Sequence, residues 1–552
     1  MSTGPARRAL LAATLAAAAA IGPLPGASVL TAQVTAPGPL LDWQVVVNNG
    51  VVVPGDTRAF NSYNQPSVNV DGLVVFRARS KGGPTGQPAH GVYQRDMALK
   101  TGVTRLFDRQ TAVPAPNNLD VTITEPPSFP RIDMWSATAV SRGNHQPAWE
   151  YVLPDGTESR AGTSGVYTNP FGTLMTGAST LGAVPEFGFF AVPDPNGVRF
   201  DVFPGAPAVT DTNTIVFKGN YTQASTPHTG VYYRDLLDAP TGGTAPAVVI
   251  ANTETRIPGS RTPFGSTAPP SAAGRRAVFA GFDNEEHPTK GGLYLAPLDG
   301  RPYPRLTALV RIGGPVPGER KGATFNRLGE GVSFDGRFVA FWGAWGTEVR
   351  SLTLYCGDEG NAERVAYCRQ QHPSGFTTTV PVHQGIFVHD VTKGQTTVVA
   401  KTSTTLRDFL FWNFSGMVPG TGSSDDDGEP ARWRSATFVA VSGLVDGKLA
   451  DATYHVAFKA RRVGSVADNA VDGIYIVAGP GATAPAVVCE TGMDGTLLDA
   501  AAIDPLSTAP LPVTAVGIER DGFRGRWLTI NASMGTEDAG WAGIYLAGVP
   551  ER

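Results

Sequence analysis

The chain has 552 residues, and its 66 glycines and 45 prolines make up about a fifth of it. Only 17% of the residues are charged, and 44 basic against 48 acidic side chains leave a net charge of −4. This composition excludes a helical bundle, a disordered chain and a general nucleic-acid-binding protein, which normally carries a basic excess. A large, turn-rich, all-β protein remains.

Residues 1–32 are predicted to be a secretory signal peptide. Arg7 and Arg8 provide a short positive region, and Ala9–Ile21 is an apolar run. Helix-breaking Gly and Pro follow, with small residues at Ala27 and Ala32 where a signal peptidase can cut. The apolar run, about thirteen residues, is short for a bilayer span, although an amino-terminal membrane anchor is the alternative. We therefore expect a secreted or periplasmic protein without a membrane span after cleavage.

Residues 33–552 are predicted to contain about seven degenerate repeats. In each repeat a β-branched segment that usually ends near a Phe, as in Leu73–Phe76, is followed by a variable loop. A glycine, an aliphatic residue and an aromatic residue come next. The seven copies of this second motif are Gly91-Val92-Tyr93, Gly165-Val166-Tyr167, Gly230-Val231-Tyr232, Gly292-Leu293-Tyr294, Gly385-Ile386-Phe387, Gly473-Ile474-Tyr475 and Gly543-Ile544-Tyr545.

Each repeat contains about four short strands, the unit of a β-propeller blade. Asp-Gly pairs such as Asp71-Gly72 predict tight turns before the Phe strand, and a further strand follows each aromatic motif. The last repeat lacks its final strand, whereas Trp43–Val47 is a strand without a repeat of its own. We therefore predict a single seven-bladed propeller in which the N-terminal strand completes the last blade, since this removes two exposed sheet edges. A stack of β-sandwich domains is the alternative.

Two family resemblances support this prediction. Val332–Phe341, followed by Gly385–Asp390, resembles a TolB-type propeller repeat. The spacing of Asn69, Gly72, Val74 and Phe76 resembles the tandem N-x-x-G-x-V-x-F repeats of secreted bacterial proteins. The resemblance implies a propeller and export, and it carries over no catalytic residues because those repeats are structural.

Four histidines recur in the loop before the aromatic motif. They are His90, His228, His287 and His383. If the repeats bring them together, they can bind a divalent metal or a ligand, or act as general bases. The alternative is that they are solvated loop residues with a shared ancestry. The longest segments on the same predicted face include Gly343–Gln384 and Thr421–Arg432.

Other candidate groups lie in or near these long segments. Asp425 and Asp427 belong to an acidic run that suits Ca²⁺, although a solvated loop explains it as well because the alternating EF-hand spacing is absent. Trp345, Trp412 and Trp433 suit stacking on sugar rings, although tryptophans in β-proteins more often pack in the core.

The three cysteines suit export to an oxidising compartment. Cys356 and Cys368 are a candidate disulfide, and Cys489 is left over in a strand-like run. A zinc site built on these cysteines lacks the C-x-x-C spacing that such sites use.

No known catalytic motif occurs, so the sequence leaves open whether the protein is an enzyme. The first hypothesis is an exported binding or interaction module for an unassigned extracellular ligand, such as a polysaccharide or a protein. The alternative is a polysaccharide hydrolase or lyase with its site on the long-loop face. A purely structural surface protein is a third possibility. The only cofactor expected is a divalent metal, Ca²⁺ or Zn²⁺.

Overall fold

The structure is a computed structural model, and the following account rests on residues 41–550. Within that range it does not describe residues 83–86, 194–196, 238–242, 286, 355–365, 367, 368, 371, 404, 405, 409–411, 415–432, 436–438, 446, 447, 450–452, 464–469, 481–483, 537 and 538. In the described residues no helix is long and apolar enough to cross a membrane.

Seven antiparallel sheets of four or five strands make up the described part of the chain, so the predicted all-β propeller is confirmed. Strand β1 spans Trp43–Asn48. Blade 1 contains β2 (Phe60–Tyr63), β3 (Ser67–Val68), β4 (Leu73–Ser80), β5 (His90–Asp96) and β6 (Thr104–Asp108). Blade 2 contains β7 (Ile123–Glu125), β8 (Arg131–Ile132), β9 (Ala139–His145), the inserted hairpin β10 (Trp149–Val152) and β11 (Glu158–Ala161), then β12 (Ser164–Thr168) and β13 (Met175–Ser179).

Two short 3-10 helices, Thr180–Ala183 and Pro185–Phe190, lead to the next blades. Blade 3 contains β14 (Ala208–Thr210), β15 (Thr214–Gln223), β16 (Thr226–Asp235) and β17 (Val248–Asn252). Blade 4 contains β18 (Ser266–Thr267), β19 (Ser271–Ala273), β20 (Arg276–Phe282), β21 (Gly291–Pro297) and β22 (Thr307–Arg311). Blade 5 contains β23 (Phe325–Leu328), β24 (Ser333–Phe334), β25 (Phe338–Leu354), β26 (Phe376–Asp390) and β27 (Gln395–Lys401).

The last two blades follow. Between blades 5 and 6 lies the small sheet of β28 (Trp412–Phe414) and β29 (Trp433–Ser435). Blade 6 contains β30 (Val439–Ser442), the small hairpin β31 (Leu444–Val445) and β32 (Lys448–Leu449), then β33 (Tyr454–Val463), β34 (Ala470–Gly479) and β35 (Ala486–Glu490). A 3-10 turn, Gly495–Leu497, leads to blade 7, which contains β36 (Val513–Gly517), β37 (Phe523–Arg524), β38 (Trp527–Gly535) and β39 (Gly540–Gly548).

The inner strands of the blades form a ring. Each contacts the next in the order β3, β8, β14, β19, β24, β30, β37 and back to β3. At the outer edge of blade 7, β1 pairs with β39, with Trp43 opposite Ala547 and Asn48 opposite Gly543. Asp499 fixes this junction, because its Oδ2 accepts hydrogen bonds from Asn48 Nδ2 and Trp541 Nε1, both 2.8 Å long.

The glycine of the repeated motif makes room for its aromatic partner. Residues two apart in a strand share a face, and the tyrosine ring folds back over the glycine. A Cβ at Gly230 would lie 2.6 Å from the Tyr232 hydroxyl, and one at Gly543 equally close to the Tyr545 hydroxyl. All seven predicted copies of the motif lie in the third strand of a blade, as the sequence predicts.

In blades 1, 3, 4 and 5 a further aromatic ring packs against the aromatic residue of the third strand. It comes from the segment that enters the blade, at Phe60, Phe200, Phe264 and Phe325. Each ring meets the third-strand aromatic residue nearly at a right angle, with centroids 4.9, 5.0, 5.3 and 4.9 Å apart. This edge-to-face geometry places the positive ring edge against the negative ring face and is favourable.

One predicted loop is in part strand. Residues 343–384 contain the ends of β25 and β26, which continue as a long hairpin beyond the blade. Cross-strand pairing continues from Gly343 opposite Gly385 to Leu354 opposite Phe376, so backbone hydrogen bonding rather than a flexible loop extends this side of the propeller.

Candidate functional site

The face of the propeller that carries the crossings between blades and the loops between second and third strands is called here the upper face. Antiparallel pairing places both kinds of connection at the same end of every blade. All four predicted histidines lie on it, but in four different blades. Within the described residues no three His, Cys, Asp or Glu side chains come together in a way that could hold a metal ion.

Two of the histidines occupy equivalent positions in extended hairpins. His228 is opposite Tyr221 in blade 3, and their rings stack with centroids 4.9 Å apart. His383 is opposite Trp345 in blade 5, with centroids 6.1 Å apart, and its Nε2 lies 3.3 Å from a Glu348 carboxylate oxygen. These are cross-strand ring pairs, which stabilise hairpins. His287 is exposed in its loop.

The structure describes only some of the other predicted site residues. Trp345 is only 6% exposed and packs in the core, so it has little surface to offer a sugar ring. The backbones of Trp412 and Trp433 lie on the paired strands β28 and β29. Asp425, Asp427, Cys356 and Cys368 lie outside the described residues. Cys489 is buried with a free thiol, and burial raises its pKa to about 12.

A shared register position identifies residues that the motif analysis overlooked. In each blade one second-strand residue pairs with the aliphatic residue of the Gly-aliphatic-aromatic motif. From blade 1 to blade 7 these residues are Arg77, Arg142, Lys218, Ala280, Trp342, Lys459 and Asn531. The four cations lie on the upper half of their strands. In the sequence these four basic residues directly follow the Phe of the repeat or, in blade 2, Ser141. This pattern could have identified them.

Blades 1 and 2 bring several arginines together, and we call this group the arginine cluster: Arg77, Arg79, Arg109 and Arg142. Glu125 is the acid next to it, with an oxygen 3.3 Å from Arg77 Nη2, and half of its side chain is exposed. Burial lowers the pKa of Arg142 to about 10, although Glu125 opposes this shift. The buried Nε of Arg142 has no hydrogen-bond partner.

The pKa of His90 reflects the positive potential of the arginine cluster. Its pKa falls to about 3, because of burial and because Arg77, Arg79 and Arg109 repel a further positive charge. Arg77 Nε donates a hydrogen bond to His90 Nε2 at 2.9 Å. The ring is therefore neutral at pH 7, with its proton on Nδ1.

A second ionisable group with a shifted pKa lies in blade 5. Glu330 interrupts the inner strand of blade 5, between β23 and β24. Burial raises its pKa, and Lys218 of blade 3 opposes this effect. Part of the Glu330 surface remains accessible. A carboxyl group with a raised pKa can serve as a general acid.

A separate, buried charge group, which we call the axial cluster, joins the inner strands and consists of Arg131, Asp521 and Arg524. Arg131 donates to Asp521 from Nε at 2.5 Å and from Nη2 at 2.6 Å, and Arg524 Nη2 donates to the same carboxylate. The remaining donors reach Pro270 O, Ser271 Oγ, Val441 O and Phe334 O. Burial alone would raise the pKa of Asp521, but the two arginines outweigh it and hold that pKa below its usual range.

Comparison with known proteins gives no family. No family profile matches the chain, and no curated protein matches it. Among solved structures, an oligogalacturonate lyase from Vibrio parahaemolyticus is similar over 94% of this chain and 99% of its own, with 9% identity and a TM-score of 0.38. The β-propeller domain of the Trilobed protease from Pyrococcus furiosus is similar over 90% of this chain and 96% of its own, with 8% identity and a TM-score of 0.37. Likeness at this level does not extend to residues or activity.

Proposed function

We propose that the protein is an exported binding module whose ligand is anionic and binds at the arginine cluster on the upper face. Export rests on the signal-like residues 1–32, and binding rests on the charge balance. The chain as a whole has a net charge of −4, yet four arginines meet here beside Glu125 and a neutral histidine. Such a local excess of positive charge attracts anions and orients them during encounter.

The observation that carries the proposal is the unused hydrogen-bonding capacity of Arg142. Buried polar groups in proteins are nearly always hydrogen-bonded, and a buried cation without partners is costly. Arg142 Nε is such an atom. A carboxylate or sulfate of a ligand that contacts this half-buried guanidinium would accept a charge-assisted bond, which is stronger than a neutral one.

The test is retention of the full chain on immobilised polyanions, such as polygalacturonate and dextran sulfate, against neutral dextran. We expect retention on the anionic columns only, elution by salt, and affinity about tenfold or more lower in Arg142→Ala. Arg301→Ala is the matched control, because Arg301 is an exposed cation in a loop on the opposite face. Equal affinity of Arg142→Ala and the wild-type protein would contradict the proposal.

A hydrolase or lyase acting on the same polysaccharides is a second candidate, favoured by Glu330. A single acid with a raised pKa provides one half of the carboxyl pair that most glycoside hydrolases use. The measurement is release of reducing ends or unsaturated products, with and without EDTA, by the wild-type protein and Glu330→Gln. Activity lost in Glu330→Gln would support the enzyme, whereas an inactive wild-type protein that binds polyanions would support the binding module.

A further inference from the structure

A cavity of about 210 Å³ lies beside the arginine cluster, on the upper face of blade 1. Its walls come from the crossing that enters the blade (residues 53–58), the end of the second-to-third-strand loop (residues 87–90) and the end of the outer strand (residues 108–110). His90 and Arg109 line the cavity and also adjoin the arginine cluster, so the two features are continuous. The volume is below the roughly 300–1,000 Å³ of drug-sized sites, so it suits one small ring.

The two acids in the wall are already fully engaged. Asp56 holds Arg58 in a two-point contact, at 2.9 Å to Nε and 2.6 Å to Nη2, and also accepts from the backbone of residues 57 and 58. Asp108 holds Arg105 Nη1 at 2.9 Å and accepts bonds from Gln110 N and Thr111. These carboxylates therefore have little capacity left for a ligand, and they do not give the cavity a negative character.

Donor groups in the wall remain available. Arg109 uses Nη1 for a 3.2 Å bond to Gln87 Oε1, which leaves its other nitrogens and the Gln87 amide nitrogen. His90 accepts from Arg77 through Nε2, so its Nδ1–H is a further donor. The Gln110 side chain is exposed at the rim and can donate or accept. Such a surplus of donors around a small cavity suits a ligand that presents oxygen acceptors, above all a carboxylate.

We propose that this cavity is a subsite for one acidic sugar ring, with its carboxylate on Arg109 and its ring oxygens facing Gln87, His90 Nδ1 and Gln110. The inference rests on the proposed function in one respect, that the ring belongs to the anionic ligand of the arginine cluster. The ligand is then an acidic polysaccharide of the uronate class, because a sulfated chain without carboxylates has no carboxylate to place on Arg109.

The experiment is titration of the full chain with free glucuronate, galacturonate and glucose, followed by calorimetry and ligand-observed NMR. We expect saturable binding of at least one uronate, affinity about tenfold or more lower in Arg109→Ala, and a smaller loss in Gln87→Leu. Glucose should bind at least about tenfold more weakly than that uronate, because it lacks the carboxylate. Arg301→Ala should bind free uronate as the wild-type protein does, and thermal melting shows that each variant is folded.

Two outcomes separate this inference from the function on which it rests. Uronate binding without retention on polyanion columns would contradict the binding function and leave the subsite intact. Retention on the columns without uronate binding, or uronate binding that Arg109→Ala and Gln87→Leu leave unchanged, would overturn the subsite. Equal affinity for glucose and both uronates would also overturn it, because the carboxylate would then make no contribution.

Discussion

The axial cluster and the arginine cluster contain the same kind of residue in opposite states. In the axial cluster Arg131 and Arg524 are almost completely buried, and their donors reach the Asp521 carboxylate or backbone and serine oxygens. In the arginine cluster Glu125 contacts Arg77, and a buried nitrogen of Arg142 has no acceptor. Arginines whose donors all have acceptors hold strands together, whereas arginines with unused donors are available to a ligand. The comparison therefore separates a structural role from a binding role by hydrogen bonding rather than by residue type.

Breaking the axial cluster should have the largest effect. Asp521→Asn keeps the shape but removes the charge of the carboxylate to which both Arg131 and Arg524 donate, and removing one member of a buried ion group typically costs about 3–5 kcal/mol. We expect the free energy of unfolding in urea to fall by that order.

The exposed pair of Arg160 and Glu150 is the control for this experiment. Arg160→Ala should change the free energy of unfolding by no more than about 1 kcal/mol, because surface ion pairs are screened by water. Equal losses in Asp521→Asn and Arg160→Ala would remove the structural distinction between the two kinds of arginine.

The arginine cluster should respond in the opposite way. Arg142→Met keeps the apolar stem of the side chain and removes a desolvated cation, so we expect unchanged or slightly higher stability together with weaker binding to polyanions. Urea unfolding and column retention measure the two effects on one sample. A variant destabilised as strongly as Asp521→Asn would show that Arg142 is structural as well.

The last expected effect is on the pH dependence of stability, and it appears only in acid. The pKa of His90 is lowered to about 3 in the folded protein, while the unfolded value is about 6.5. Between these values the unfolded chain binds more protons, so the His90 contribution is complete above pH 6.5 and is lost as the pH falls towards 3.

Replacement of His90 by Gln should make the fall in unfolding free energy between pH 6.5 and pH 4 shallower. It should not abolish the slope, because burial also lowers the pKa values of His145 and His389. His287→Gln, in an exposed loop, is the control and should leave the slope as in the wild-type protein. An unchanged slope in His90→Gln would show that the arginines do not suppress protonation of this ring.

Local sequence patterns predicted the fold well because a blade is built from local pairings. The Gly-aliphatic-aromatic motif, the Asp-Gly turns and the Phe strand belong to two neighbouring strands of one blade, and each lies where the pattern placed it. The packing role of Phe60, Phe200, Phe264 and Phe325 was not predicted, although each stands 15 to 17 residues before the Phe of its second strand. Their common role becomes visible only when the sheet folds.

The candidate site was predicted much less well. Histidines attracted attention because of their chemistry, yet His228 and His383 are cross-strand ring partners. The arginine cluster escaped notice because its members belong to two blades, and Arg142 is far in sequence from Arg77. Aligning the repeats on strand register, rather than on residue type, would have shown the basic position.

The fit of each tyrosine over its glycine has an evolutionary consequence. A mutation from glycine at 230 places a side chain in the space of the Tyr232 ring, so it is tolerated only after that ring has been replaced by something smaller. The tyrosine can therefore mutate before the glycine, but the glycine cannot mutate before the tyrosine. Repeat copies that have lost most other common features can still retain this pair, as at Gly165 and Tyr167.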